Sequence, residues 1–75
     1  MQYSVRISDY QKNTMLNMCD AELIGKYVVD GELKIHISEN YYGNQLVDKD
    51  KAISLLSSAS MLNLVGKETI SLAIG

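Results

Sequence analysis

The dipeptide Asp30-Gly31 constrains the fold of this chain more than any other local feature. It lies between residues 26–29 and residues 32–38, two segments in which apolar, often β-branched residues alternate with polar ones. Asp-Gly between alternating segments is the strongest short-range signal of a tight β-hairpin. We therefore predict a hairpin that turns at Asp30-Gly31.

The second arm of this hairpin has two different faces, because successive strand residues point to opposite sides. Leu33, Ile35 and Ile37 share one face, which we expect to turn toward the core. Lys34 and His36 share the opposite face, which we expect to be polar.

A second hairpin is predicted nearer the start of the chain. Residues 3–7 alternate between apolar and polar side chains, which indicates a strand. The apolar face of this strand consists of Tyr3, Val5 and Ile7. A polar, turn-prone segment follows, so residues 14–18 would pair back as the second arm and bring Leu16 and Met18 into the core.

Two helices and one further strand are predicted in the second half of the chain. Residues 49–59 carry apolar side chains at three- and four-residue spacing after Asp48, a good N-cap, and this pattern indicates an amphipathic helix. Residues 61–65 form an apolar run that suits a buried strand, and residues 67–74 would form the last helix. The side chains that this last helix would bury are Ile70, Ala73 and Ile74.

Together these elements predict an α+β protein with a small, mainly antiparallel sheet and two helices packed on it. A chain of 75 residues suffices for one hydrophobic core, so we expect residues 1–75 to form a single domain. Cys19, the only cysteine, cannot form an internal disulfide, so stability must come from packing or from a partner. No apolar run approaches the roughly 20 residues that cross a bilayer, and we expect a cytoplasmic protein without membrane contact.

Few residues could carry chemistry. Cys19 precedes a possible helix start, but a lone cysteine is more often a small buried hydrophobe, so we predict a structural role. Asp20 and Glu22 are explained as a cap and a favourable first-turn charge on a short helix that Gly25 would end. His36 has no second group at a spacing that would support acid–base catalysis. The sequence therefore predicts a protein that is not an enzyme, without catalytic residues, a metal site or a cofactor.

Tyr41 and Tyr42 are the strongest candidates for a binding role. Adjacent residues of an extended segment face opposite sides, so we expect at least one ring to be exposed; the alternative is that both close the open end of the core. An exposed tyrosine offers a flat surface for RNA bases or for a protein partner. With Arg6, Lys34 and His36 on a polar sheet face, the tyrosines would form a small platform for single-stranded RNA, unless that face is simply solvated.

Three segments of the chain, in this order, resemble the archaeal family known as domain of unknown function 424. They are Cys-Asp-Ala-Glu-Leu-Ile-Gly-Lys at 19–26, Tyr-Tyr-Gly at 41–43 and Asn-Leu-Val-Gly at 63–66. The resemblance extends over nearly the whole chain. It implies a small α+β protein of archaea that has no assigned reaction and is associated with translation genes, and it supplies no catalytic residue.

Two classes of function are compatible with these features. We expect a non-catalytic, translation-associated binding protein that docks on the ribosome or a translation factor, with possible direct contact to RNA. The alternative is a protein–protein adaptor or accessory subunit without nucleic-acid contact. The formal net charge of −2 fits the alternative better, because Lys and Arg contacts to phosphate dominate the affinity of RNA-binding proteins.

Overall fold

The architecture is that of a computed structural model, which describes residues 1–43 and 45–75. Its strands are β1 (Tyr3–Tyr10), β2 (Asn13–Asp20), β3 (Tyr27–Asp30), β4 (Leu33–His36), β5 (Gln45–Val47) and β6 (Met61–Val65). Its helices are α1 (Glu39–Tyr42), α2 (Lys49–Ser58) and α3 (Lys67–Ile74), with a short 3-10 helix at Ala21–Leu23. This mixture of strands and helices is the predicted α+β class.

Within the described residues, the main sheet has four strands in the order β5-β1-β2-β6. β1 pairs antiparallel with β2 and with β5, whereas β6 pairs parallel with β2. The sheet is therefore mainly antiparallel, as predicted, and its two edges are β5 and β6.

The β1–β2 hairpin is longer than the predicted arms at 3–7 and 14–18. Its turn takes only two residues, Gln11 and Lys12, with φ of 48° and 73°. Positive φ at both central residues is typical of a type I′ turn, whose twist matches that of the flanking strands. Because the turn is so short, the strands continue up to it on both sides.

One face of the main sheet packs against α2 and α3. The buried residues of this core are Tyr3, Val5, Leu16, Met18, Val47 and Ala52. The prediction for Leu16 and Met18 is confirmed, but Ile7, which lies nearer the β1–β2 turn than Tyr3 and Val5, is exposed. The core is thus concentrated at the end of the sheet away from that turn.

Helix α2 begins as its sequence predicts. The Asp48 side chain accepts a hydrogen bond from the backbone N–H of Lys51 at 2.9 Å, which is the expected N-cap contact. Ala52 is the fully buried residue of this helix. Leu55, Leu56 and Ala59 pack beside it, partly buried.

The prediction for the buried face of α3 is wrong. Ile70, Ala73 and Ile74 are exposed, and Thr69 and Leu72 turn toward the sheet instead. Asp20 of β2 binds the start of α3 and thereby fixes the rotation of the helix about its axis. This contact joins distant parts of the sequence, so the periodicity of α3 alone does not reveal it.

The hairpin predicted at Asp30-Gly31 exists, but it lies outside the main sheet. β3 and β4 form a separate two-stranded antiparallel sheet, and the turn takes Gly31 and Glu32, with Gly31 at φ 61°. Leu33 and Ile35 are 65% and 47% exposed, so the prediction that they face the core is wrong; only Ile37 is buried. The reason is that the hairpin packs on the body of the protein at its base and projects beyond it toward the turn.

Candidate binding surface

A second, smaller core covers the opposite face of the main sheet. Cys19 of β2, Ile37 and Tyr42 of α1 form its buried centre. Residues from the 3-10 turn and the hairpin base, Leu23, Ile24 and Val28, pack against it together with Val65. Helix α1 and the base of the hairpin are thereby fixed on this face of the sheet.

Beside this small core, three polar residues form a row across three strands. Arg6 of β1 is in register with Asn17 of β2, and Asn17 is in register with Asn63 of β6. Residues in register point to the same face of a sheet. We call Arg6, Asn17 and Asn63 the polar row.

Helix α1 is held against the polar row by three hydrogen bonds. The Asn17 side-chain amide donates to the Tyr41 carbonyl at 2.9 Å, and the Tyr42 hydroxyl donates to Asn63 Oδ1 at 3.4 Å. The Arg6 guanidinium donates to the carbonyl of Asn40. The row therefore positions the two adjacent tyrosines, although all of its members lie on other elements.

The two tyrosines have opposite environments. Tyr42 is 7% exposed and packs against Cys19 and Ile37, whereas Tyr41 is 52% exposed. Burial is the main cause of a raised pKa for the Tyr42 hydroxyl. The expectation that at least one ring is exposed agrees with this geometry, although the segment is a helical turn rather than an extended loop.

One buried polar atom of the row has no partner in the described part of the chain. Asn17 is 3% exposed, and its Oδ1 accepts no hydrogen bond while its amide nitrogen donates to Tyr41. A buried acceptor without a donor costs about 1–3 kcal/mol. Because of this cost, stability alone does not explain why position 17 is an asparagine.

The hairpin carries the second group of candidate residues. Tyr27 pairs with His36 across the two strands, and Val29 pairs with Lys34, so these four side chains share the outer face of the hairpin. The Tyr27 and His36 rings are stacked with centroids 4.7 Å apart, and Lys34 Nζ lies 4.5 Å from the Tyr27 ring centroid. Tyr27 is more than half exposed in this arrangement.

The opposite face of the hairpin is apolar where it extends beyond the body. Leu33 and Ile35 lie on this side, together with Val28, which packs on the small core. Val29 on the outer face is also largely exposed. The projecting part of the hairpin therefore presents apolar side chains on both of its faces.

The five predicted binding residues divide between two places. Arg6, Tyr41 and Tyr42 meet at the polar row, whereas Lys34 and His36 lie on the separate hairpin sheet. They do not share one polar sheet face as expected from the sequence. Tyr27, Asn17 and Asn63 were not among the predicted residues; the 27–36 pairing follows from the hairpin register and could have indicated Tyr27.

Asp20 is a cap, as predicted, but of a different helix. Its side chain makes no capping hydrogen bond to the 3-10 turn that follows it. Instead its carboxylate accepts hydrogen bonds from the backbone N–H groups of Glu68 and Thr69, at 3.1 and 2.7 Å, and from Thr69 Oγ1 at 2.7 Å. A Cβ on Gly66, whose φ is 111°, would lie 2.6 Å from this carboxylate. Asp20 and Gly66 thus form a structural lock between β2 and α3.

Cys19 is fully buried, and burial raises the pKa of its thiol to about 11. Such a thiol is almost entirely protonated at neutral pH and is a poor nucleophile. Among the described residues, no group of three His, Cys, Asp or Glu side chains is placed to hold a metal ion.

A cleft lies between the N-terminus, α2 and α3. It has a volume of about 590 Å³, and its charged lining residues are Lys49 and Glu68. The remaining lining is mainly apolar or hydroxylic: Met1, Tyr3, Ile53, Ser71 and Leu72, with Gly75 at its end. No helix in residues 1–43 or 45–75 has the length and apolar character needed to span a membrane.

These features define a small α+β protein with a mixed four-stranded sheet, helices on both of its faces and a projecting two-stranded hairpin. The chain belongs to the family described as "Protein of unknown function (DUF424)", whose model matches residues 8–75. The resemblance carried by the three segments at 19–26, 41–43 and 63–66 is thereby confirmed. No curated protein matches the chain.

The fold also occurs in a solved structure, described as the crystal structure of an uncharacterized conserved protein from Methanopyrus kandleri. The two structures align with a TM-score of 0.82 and 19% sequence identity, over 99% of this chain and 72% of that chain. At this identity the similarity establishes the fold alone.

Proposed function

We propose that this protein is a non-catalytic, cytoplasmic adaptor that binds a partner protein through the β3–β4 hairpin, and that the partner belongs to the translation apparatus. The observation that carries the proposal is the exposure of apolar side chains on both faces of the hairpin. Val29 and Leu33 are 66% and 65% exposed, on opposite faces. The translational setting rests on the family resemblance.

Energetics supports a docked hairpin. A two-stranded hairpin is marginally stable by itself, and packing against another surface stabilises it. Fully burying an aliphatic side chain of the size of Val or Leu contributes about 1.5–3 kcal/mol. Val29, Leu33 and Ile35 together could therefore supply most of the free energy of a transient interface, and Tyr27 is the kind of residue that dominates such interfaces.

Charge favours a protein partner over RNA at this site. The tip of the hairpin carries Asp30 and Glu32 next to the exposed Leu33. Carboxylates at the tip would repel phosphates, and the chain as a whole has a net charge of −2. Lys34 is the lysine of the two hairpin strands, and its ammonium group already lies over the Tyr27 ring.

RNA contact is the second candidate, and one observation favours it. The outer face of the hairpin combines two aromatic rings, Tyr27 and His36, with the Lys34 ammonium. Exposed aromatic rings beside cations are typical of surfaces that stack unpaired bases. Tyr41 beside Arg6 would extend such a contact onto the main sheet.

Site-specific photo-crosslinking separates these candidates. A photoreactive amino acid is placed at Leu33 or at Val29 in the full chain, and adducts formed in cells are identified by mass spectrometry with and without nuclease. The matched control carries the same group at Ile74, which is more solvent-accessible than either hairpin position, at 82%, but lies on α3. The proposal expects one identified protein to crosslink at both hairpin positions, to resist nuclease, and to be absent from the Ile74 sample.

Three results would contradict the proposal. RNA adducts at Leu33 or Val29 would favour the second candidate. Adducts that are the same at Ile74 would indicate non-specific contact. An identified protein partner without a role in translation would retain the adaptor and reject its translational setting.

A further inference from the structure

Strand β6 leaves one long side of the main sheet open. It pairs with β2 on one side and has no strand on the other among the described residues. Its sequence is Met-Leu-Asn-Leu-Val, and Met61 and Leu62 are exposed. Natural proteins usually protect an open edge with a charge, a proline or a bulge, because its free backbone groups can pair with another strand. β6 carries no charge and no proline.

The direction of the free backbone groups follows from one hydrogen bond. The N–H of Ala21 donates to the carbonyl of Gln2 and continues the β1–β2 register, so Leu16 and Met18, on the alternate positions of β2, direct their backbone groups toward β6. In a parallel pair, the residue in register with such a residue directs its own backbone groups to the opposite side. The N–H and C=O groups of Leu62 and Leu64 therefore point away from β2, into the open edge.

We propose that β6 pairs antiparallel with β6 of a second copy of this chain, on a two-fold axis at Asn63. In this register Asn63 lies opposite the partner's Asn63, and Met61 lies opposite the partner's Val65. Leu62 and Leu64 have the outward backbone groups, so each Leu62 exchanges two backbone hydrogen bonds with the partner's Leu64, and the Asn63 pair between them is not hydrogen-bonded. The main sheets of the two copies become one continuous sheet.

The side chains fit this self-pairing. Leu62 lies opposite the partner's Leu64, on the face that carries the α2–α3 core, so its exposed surface is buried beside that core. On the other face, Met61 meets the partner's Val65, and the two Asn63 amides meet at the axis. The interface is isologous, because the same strand serves both subunits.

The absence of charged side chains in β6 is the reason for assigning its open edge to a second copy of the chain. A two-fold axis brings residues near it close to their own copies, so a charged side chain there would face its like. The other edges are less suited to this arrangement: β4 contains Lys34, β3 ends at Asp30, and β5 has only three residues. A partner unrelated in sequence would impose no such neutrality on β6.

A disulfide at the axis tests the register. Opposed residues of a non-hydrogen-bonded antiparallel pair, such as the two copies of Asn63, have Cα atoms about 4.5 Å apart, within the range that a disulfide spans. The variant Asn63→Cys should therefore form a disulfide-linked dimer in near-complete yield under mild oxidation. Cys19 is fully buried and gives a silent background. Ile74→Cys, on an exposed helix face, and Leu33→Cys, on the hairpin, are the controls and should remain largely uncrosslinked.

A charge at the axis tests the association itself. Sedimentation of the wild-type chain should give twice the chain mass, and Asn63→Lys should reduce it to the mass of one chain. Asn63→Ser, which removes the amide without adding charge, should remain dimeric, and both variants should keep the wild-type circular dichroism spectrum. The proposal is overturned if the wild-type chain is monomeric at all concentrations tested, or if Leu33→Cys crosslinks faster than Asn63→Cys.

Discussion

The contact between Asp20 and the start of α3 gives the sharpest stability prediction. Replacing Asp20 with Ala leaves three donors without their acceptor: the N–H groups of Glu68 and Thr69 and the Thr69 hydroxyl. Thr69 is fully buried, and each buried unsatisfied donor costs about 1–3 kcal/mol. Glu68 is exposed, so water can replace its acceptor. We expect Asp20→Ala to reduce the free energy of unfolding by about 3–5 kcal/mol.

Asp48 provides the matched control for this experiment. It caps α2 through a single exposed hydrogen bond to the Lys51 N–H, and Asp48→Ala should cost about 1 kcal/mol. Asp20→Asn is the graded variant, because its Oδ1 can still accept from Thr69. It loses the charge at the helix start and the Glu68 contact, which together amount to about 1–2 kcal/mol.

Urea denaturation followed by circular dichroism measures all three variants. A protein of this size has a total stability of about 4–11 kcal/mol, so Asp20→Ala should be close to unfolding in the absence of urea. If Asp20→Ala costs no more than Asp48→Ala, the carboxylate does not join β2 to α3, and our explanation for the rotation of α3 is wrong.

Three further predictions follow from the packing around the small core. A Cβ on Gly43 would lie 1.8 Å from Ser4 Oγ, so Gly43→Ala should lower stability by about 1–3 kcal/mol in thermal melts. Adding Ser4→Ala should recover much of this loss. A double variant that is no more stable than Gly43→Ala alone would contradict the contact. The folded pKa of Cys19 is raised from 9.0 to about 11, so the free energy of unfolding should be unaffected by this thiol below pH 9 and should fall as the pH rises toward 11. Cys19→Ala should flatten this fall. The native thiol should also react slowly with thiol reagents at neutral pH, and rapid labelling would restore a catalytic role. Ile35→Asp should leave the circular dichroism spectrum unchanged and Ile37→Asp should unfold the protein, since only Ile37 is fully buried; the reverse result would place the hairpin in the wrong register.

Local signals in the sequence predicted local structure well. Asp48 caps the helix that it precedes, and the Asp30-Gly31 dipeptide marks a hairpin whose turn is displaced by a single residue. In both cases the residues that determine the conformation lie within a few positions of one another. The α+β class and the mainly antiparallel sheet follow from these elements.

Contacts between distant residues account for the errors. Asp20 is followed by residues that suit a short helix, yet its hydrogen-bond partner Thr69 lies in α3. The alternation of Leu33 and Ile35 is that of a half-buried strand, but alternation does not reveal whether another sheet covers the apolar face. Only the base of the hairpin is covered, where Val28 packs on the small core.

The candidate site was predictable in part for the same reason. Exposure of one ring of the Tyr41-Tyr42 pair follows from the adjacency of the two residues. Asn17 and Asn63 escaped notice because an asparagine within a strand carries no signal of its own, and their alignment depends on the parallel pairing of β2 with β6. Tyr27 required the hairpin register to bring it beside His36.

Amide hydrogen exchange in the purified complex tests the adaptor proposal most directly. The full chain is compared alone and bound to the partner that crosslinking at Leu33 identifies, with exchange measured for each peptide by mass spectrometry. In the free protein the amides of β3 and β4 should exchange rapidly, because a projecting hairpin opens easily. We predict strong protection of residues 27–36 on binding, with little change in α2. Unchanged exchange in residues 27–36, with protection confined to other elements, would contradict the assignment of the hairpin as the docking surface.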